Sequence, residues 1–283
     1  MRISRLASIV WLAVPACLGQ PPLEEILAKL ADSQERAVEA RKSIVYRQDT
    51  WVRLLRTNGK LSREEKRQYT VAPTPEGFDK KLERFEGRYE QGGQMHSYGQ
   101  PDHKYKGMDI DGDLIRDLTN DLVNDTKTRD GFSKDLFPLT SSEQRHYVFK
   151  LEGTRRVAGV EALRVTFEPK KDQDGDDDRA WAGEVLIHPE EFQPLLVTTR
   201  LAFKIPMAVK VMLGIDIKQL GFSVTYRKTA DGLWFPSTYG TEFGLKIFFG
   251  YKRNITMNVT NTEFRRTEAV SHITFETLEE KQN

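Results

Sequence analysis

From Arg145 onward, apolar residues recur at every second position. Tyr147, Phe149 and Leu151 alternate with polar neighbours, and Leu163, Val165 and Phe167 alternate with Arg164, Thr166 and Glu168. The pattern returns at Trp181 to Ile187, at Leu195 to Phe203 and at Phe222 to Tyr226. Turn residues separate these runs at Gly159, at Pro189-Glu190-Glu191 and at Asp231-Gly232, while Lys170 to Arg179 forms a highly charged loop. Leu233 to Tyr239, Thr241 to Tyr251, Asn254 to Phe264 and His272 to Phe275 extend the series. Alternation with period two predicts strands that bury one face and wet the other. Short turns predict antiparallel neighbours. A twisted sheet of this size curls, and its apolar face becomes the inside of the curl.

The N-terminal half reads differently. Leu23, Ile26, Leu27, Leu30, Ala37 and Val38 keep helical spacing, which predicts an amphipathic helix over Pro21 to Ala40. Ser43 to Val71 predicts a long hairpin turning at Asn58-Gly59. Its arms carry Arg, Lys, Glu and Gln at alternate positions, so one face of the hairpin is expected to be wet. Phe78 to Tyr105 suggests one or two short strands around Leu82 to Tyr89, then a loop at Gly92-Gly93. Met108 to Asp125 predicts a second helix through Leu114, Ile115, Leu118, Leu122 and Val123. The expected fold class is α+β: a curved antiparallel sheet, as a half-open barrel, with helices over its concave face. One domain over residues 20–283 is expected, with a helical insertion around 78–141.

Two helices are too little to cap so long a sheet, which predicts a residual apolar hollow. Its candidate lining is Val165, Phe167, Val185, Ile187, Val197, Leu201, Phe203, Phe222, Val224 and Tyr226. Ile205 to Leu220 is the most apolar stretch after the N-terminus, opened by Pro206 and interrupted by Gly214. It reads either as a short helix plugging one end of the sheet or as a flap at the mouth of the hollow. Met207, Val211, Met212 and Ile215 are the mouth candidates, methionine being an adaptable side chain.

The first residues add a location. Arg2 and Arg5 precede an apolar run from Leu6 to Val14, too short to span a bilayer and of the length of a signal-peptide core. Two cleavage placements fit: Cys17-Leu18-Gly19 before Gln20, giving a signal peptide over 1–19, or Val14-Pro15-Ala16 before an acylated Cys17. Either predicts export to the periplasm, the second with an outer-membrane lipid anchor and otherwise only peripheral membrane contact. Loss of Arg2 and Arg5 turns the net charge from +1 to −1. So balanced a chain has no electrostatic footprint for nucleic acid.

Motifs for chemistry are absent. The acidic runs Asp109 to Asp113 and Asp172 to Asp178 place Gly at the fourth position of a calcium loop, where the sixth is needed. They read as solvated turns. His96, His103, His146, His188 and His272 form no zinc spacing. No nucleophile elbow or phosphate loop occurs, and Cys17 is the only cysteine. No metal, cofactor or catalytic residue is expected. An enzyme would need distant Asp, Glu and His side chains gathered in the hollow.

Three segments carry a resemblance: Gly183-Glu184-Val185-Leu186-Ile187-His188-Pro189-Glu190-Glu191-Phe192-Gln193-Pro194, the hairpin Gly153 to Pro169, and Leu233-Trp234-Phe235-Pro236 after Asp231-Gly232. With the order of elements, they resemble the LolA/LppX-like family of periplasmic lipoprotein and lipid carriers, whose architecture the RseB-type lipid-sensing domain shares. His188 stands where Asp is usual in that family, and its lid arginine has no counterpart here. The resemblance implies a non-catalytic carrier of lipid, or of the acyl chains of lipoproteins. The alternative is an envelope lipid sensor or interaction module with a protein partner.

Overall fold

The computed structural model describes residues 21–74, 77–105, 107–123, 139–170, 181–202, 215–218, 220–247 and 250–267. The export signal with Cys17, the acidic turn at 172–178, the candidates Phe203, Met207, Val211 and Met212, and the strand expected at His272 lie outside the described residues.

The chain opens with helix α1 (Leu23–Arg41) and the hairpin β1 (Ile44–Leu55) and β2 (Leu61–Pro73). Then come β3 (Phe78–Gln91), β4 (Gln94–Tyr98), α2 (Ile110–Val123) and the single turn α3 (Ser141–Gln144). The second half adds eight strands among the described residues: β5 (Tyr147–Val157), β6 (Val160–Pro169), β7 (Trp181–Ile187), β8 (Pro194–Leu201), β9 (Ile215–Lys218), β10 (Ser223–Lys228), β11 (Trp234–Ile247) and β12 (Lys252–Arg266). All belong to one antiparallel sheet in the order β4-β3-β2-β1-β12-β11-β10-β8-β7-β6-β5, with β9 beside the far end of β11. The last strand returns to pair with the first, so β4 and β5 remain as edges and the curved sheet stays open. The class is α+β.

Residues directly opposite each other share a face, and the register shows how different the two faces are. One row runs from Leu151 through Val165, Val185, Val197 and Val224 to Tyr239 and Val259, then Thr50, Arg67 and Phe85. Both long helices lie on this side, hereafter the helix face. α1 sets Ile26 and Leu30 on β6, β7 and β8, and α2 sets Ile115 on Val52, Leu54 and Ile255. The neighbouring row, on the opposite or open face, reads Thr166, Glu184, Thr198, Ser223, Gly240, Asn258, Trp51, Lys66 and Glu86.

The structure departs from the sequence reading in three places. β3 is one strand of 14 residues instead of one or two short ones. A bulge leaves Glu83 unpaired, since Gln68 faces Arg84 and Tyr69 faces Leu82. The alternation therefore changes phase, from Lys80 and Leu82 to Phe85, Gly87 and Tyr89, and looks broken in the sequence. β11 runs unbroken through Gly240, which marks a close approach: a Cβ there would lie 2.8 Å from Asn258 Oδ1. Finally, 215–218 pairs with Gly244 to Ile247 as a strand, so the end of the segment read as plug or flap belongs to the sheet. Ile215, a mouth candidate, opens that strand opposite Ile247.

Candidate functional site: an apolar floor beside a charged interlock

Seven of the candidate lining residues meet in one cluster: Val165, Phe167, Val185, Ile187, Val197, Val224 and Tyr226. They form a floor of β6, β7, β8 and β10 on the helix face. Leu201 lies at the end of β8 opposite Trp181, outside this cluster. Phe222 is buried too, but packs edge-on against Trp181 with ring centroids 5.0 Å apart. The floor is not an empty bowl. Ile26 and Leu30 of α1 are both 0% exposed on it, with Leu23 and Leu27 packing partly. A guest on this floor takes the place of the α1 side chains.

Neutral groups attach α1 at its middle. Ser33 Oγ lies 2.7 Å from the Phe192 carbonyl, Gln34 Nε2 donates to Gln193 Oε1 at 2.8 Å, and Gln144 Nε2 donates to the Leu27 carbonyl at 3.0 Å. The Ser141 backbone N–H reaches the Glu35 carboxylate at 3.1 Å, and the ion pairs Lys29–Glu25 and Arg36–Asp32 stay within the helix.

The entry to α2 is held very differently. Arg63, 1% exposed, donates to Asp109 Oδ2 at 2.6 Å, to Tyr98 Oη at 2.8 Å and to the His103 carbonyl at 2.6 Å. Tyr98 in turn donates to Glu65 Oε1 at 2.6 Å, and Glu65 pairs with Arg67 at 2.5 Å. Asp111 accepts from Ser62 Oγ and Tyr251 Oη, each at 2.5 Å, and from Arg253 at 3.0 Å. The charged side chains of the hairpin do not all lie on its wet face: Lys66 is exposed on the open face, whereas Arg63, Glu65 and Arg67 are buried on the helix face, stacked against Tyr98, Phe85 and the segment before α2. Burial works against the Arg63 charge, but Asp109 and Tyr98 outweigh it and hold its pKa above the usual value. This network was missed because its acids, Asp109 and Asp111, follow the hairpin at long sequence distance. The available signal was alternating charge sign along Arg63, Glu65 and Arg67, three side chains on one strand face.

Lys80 ends the polar side of the helix face. Its Nζ donates to Gln48 Oε1 at 2.5 Å and lies 4.7 Å from the Tyr69 ring centroid. Burial, aided by the charge of Arg67, lowers its pKa to about 7. An unfolded lysine titrates near 10.5, so between these values the unfolded chain holds the extra proton and stability rises with pH. Tyr98 and Tyr251 act in the opposite sense. Burial, then Glu65 and Asp111 respectively, raise their pKa above the ordinary 10.0, so stability falls as pH climbs past that value. Urea midpoints of the protein are therefore expected to climb from pH 7 towards pH 10 and then drop. Lys80→Met is expected to flatten the climb and keep the drop; an equal climb in the variant refutes the assignment to Lys80.

Among the described residues, no group of three His, Cys, Asp or Glu side chains is arranged to hold a metal. None of the described helices is long and apolar enough to cross a membrane. No family model and no curated protein matches the sequence. Solved structures of low identity align over most of the chain. A domain of the outer membrane lipoprotein-sorting type from Vibrio parahaemolyticus is 11% identical, over 87% of this chain and 95% of its own, with a TM-score of 0.36. A DUF1329 family protein from Desulfovibrio piger is 12% identical over 90% and 98%, with a TM-score of 0.39. The Mycobacterium tuberculosis lipoprotein LppX is 10% identical over 88% and 99%, with a TM-score of 0.27.

Proposed function

We propose that this chain is a non-catalytic, exported envelope protein that binds the acyl chain of a lipid or lipidated protein on the floor beneath α1. The observation that carries the reading is the contrast between the two helices. α1 covers a continuous apolar surface and is attached at its middle by hydrogen bonds of neutral side chains. α2 is pinned at its start by buried ion pairs. α1 is therefore the helix that yields to a guest.

Magnitudes decide which guests suffice. Exposing Ile26 and Leu30 costs roughly 3–6 kcal/mol at about 1.5–3 kcal/mol per side chain. Each buried CH₂ of a guest returns ~0.8 kcal/mol. An acyl chain of about fourteen carbons returns on the order of 11 kcal/mol before ordering costs, and one of about four carbons returns roughly 3. Long chains displace α1 and short ones do not.

The test starts from the exported protein purified without detergent. Mass spectrometry of its organic extract is expected to show long acyl chains. Displacement of a fluorescent fatty acid is expected from myristate and palmitate and not from butyrate. A lipid-free preparation that ignores long-chain acids sinks the reading. Mass measurement of the mature N-terminus checks the export part, and shows whether the chain begins at Gln20 or at an acylated Cys17.

A further inference from the structure

We infer that β5 is an interface for a second copy of this chain, joined edge to edge into one continuous antiparallel sheet. The sheet ends at β4 on one side and at β5 on the other, and the two edges differ. β4 covers only Gly87 to Gln91 of β3. The rest of that edge is guarded by the bulge at Glu83 and by the exposed charges of Lys81, Glu83, Arg84 and Glu86. β5 is guarded over its second half alone. There Arg155 and Arg156 follow a bulge, since Glu152 and Gly153 fall between the pairs Leu151–Val165 and Thr154–Leu163. The first half, Tyr147 to Leu151, is regular, carries Lys150 as its one charge, and leaves Val148 58% exposed. A regular edge stretch with so little charge is a template for another strand.

The backbone sets the register. The Lys170 N–H donates to the His146 carbonyl at 2.8 Å, and Tyr147 is the next residue, opposite Pro169. Antiparallel pairs alternate between bonded and non-bonded ones. His146, Val148 and Lys150 therefore turn their backbone groups to β6, while Phe149 and Leu151 turn theirs outward from the sheet. Across a two-fold axis, outward residues must meet outward residues, which leaves few alignments. Centring on Val148 carries Leu151 past the start of the partner's strand. Centring on Lys150 sets that lysine opposite the partner's Lys150, and like charges directly opposite repel. Centring on Leu151 runs into the bulge at Glu152 and Gly153. Centring on Phe149 meets no such obstacle. It sets Phe149 opposite the partner's Phe149, Leu151 opposite the partner's Tyr147, and Val148 opposite the partner's Lys150. Tyr147, Phe149 and Leu151 belong to or pack on the apolar cluster beneath α1, so the clusters of the two copies become one surface. The stretch is thus its own complement, as a two-fold interface requires. A peptide of unrelated sequence matches the backbone alone, whereas a second copy also matches the apolar row.

Sedimentation equilibrium of the exported protein, with no lipid added, tests the interface separately from the acyl reading. One strand pair is at the small end of protein interfaces, so a reversible dimer with Kd on the order of 100 μM is expected. Val148 and Lys150 are both exposed, so substitutions there leave the fold in place. Val148→Glu meets the partner's Lys150 twice in each dimer and is expected to tighten association about threefold or more. Val148→Lys is expected to weaken association by about as much, and Val148→Lys combined with Lys150→Glu to restore it. Contacts with Glu168, which faces Val148 within the same chain, are common to monomer and dimer and cancel. A protein that stays monomeric up to about 1 mM, or a dimer whose Kd does not move in these directions, overturns the proposal.

Discussion

Replacing Arg63 by alanine is expected to remove about 3–5 kcal/mol of folding stability, read as a lowered urea midpoint at pH 7. The guanidinium is fully buried and ties three elements together: β2, Tyr98 of β4, and the segment from His103 to Asp109 that leads into α2. Without it, Asp109 keeps backbone partners, the N–H of Gly112 at 2.9 Å and that of Tyr105 at 3.4 Å, and loses its buried counter-charge. The large term is therefore the stranded carboxylate rather than the attraction given up. That origin has a signature. Arg63→Met combined with Asp109→Leu leaves neither charge buried, and the double variant is expected to be more stable than Arg63→Ala alone. Arg63→Lys is expected to rescue little, because one ammonium does not reproduce the planar fork that reaches Asp109, Tyr98 and the His103 carbonyl at once. A loss below about 1 kcal/mol for Arg63→Ala would mean that water reaches the network.

This interlock also marks the boundary of what the sequence alone discloses. α1 and the first hairpin are legible because their signals are local: a stripe at helical spacing, and Asn58-Gly59 between two alternating arms, with Gly59 at φ +79°. Seven floor residues are legible because period two assigns each strand residue to a face whatever the strand order. The charged face of β2 looks like a solvent face for the same reason, since alternation separates two faces without saying which one is wet. Only the tertiary arrangement, with Asp109 over Arg63 and Tyr98 over Glu65, decides that. Likewise α1 is evident as an amphipathic helix, but that its Ile26 and Leu30 occupy the predicted hollow depends on where the sheet curls. The β3 bulge at Glu83 and the pairing of β1 with β12 are long-range register facts, visible only once the strands are side by side.

Phe167→Ala is expected to cost about 3–5 kcal/mol of stability, as fully buried aromatics do. The ring is 0% exposed, lies edge-on to Tyr147 with centroids 5.9 Å apart, and stands over Gly183. A Cβ on Gly183 would press on the Thr198 carbonyl and come within 3.0 Å of Phe167 Cζ, so Gly183 makes room for the ring. Strands hydrogen-bonded on both sides move little, and the truncation leaves a cavity in place of a collapsed floor. That cavity is informative about function. A fatty acid that binds only the folded chain stabilises it by RT ln(1 + [L]/Kd), about 2.7 kcal/mol at a hundredfold excess over Kd. If acyl chains lie where α1 now packs, palmitate raises the urea midpoint of the native protein, and raises that of Phe167→Ala at least as much because the guest fills the new space. Arg63→Ala, altered far from the floor, gains the same increment as the native protein. Should palmitate leave all three midpoints where they were, the cluster beneath α1 is a core and nothing more.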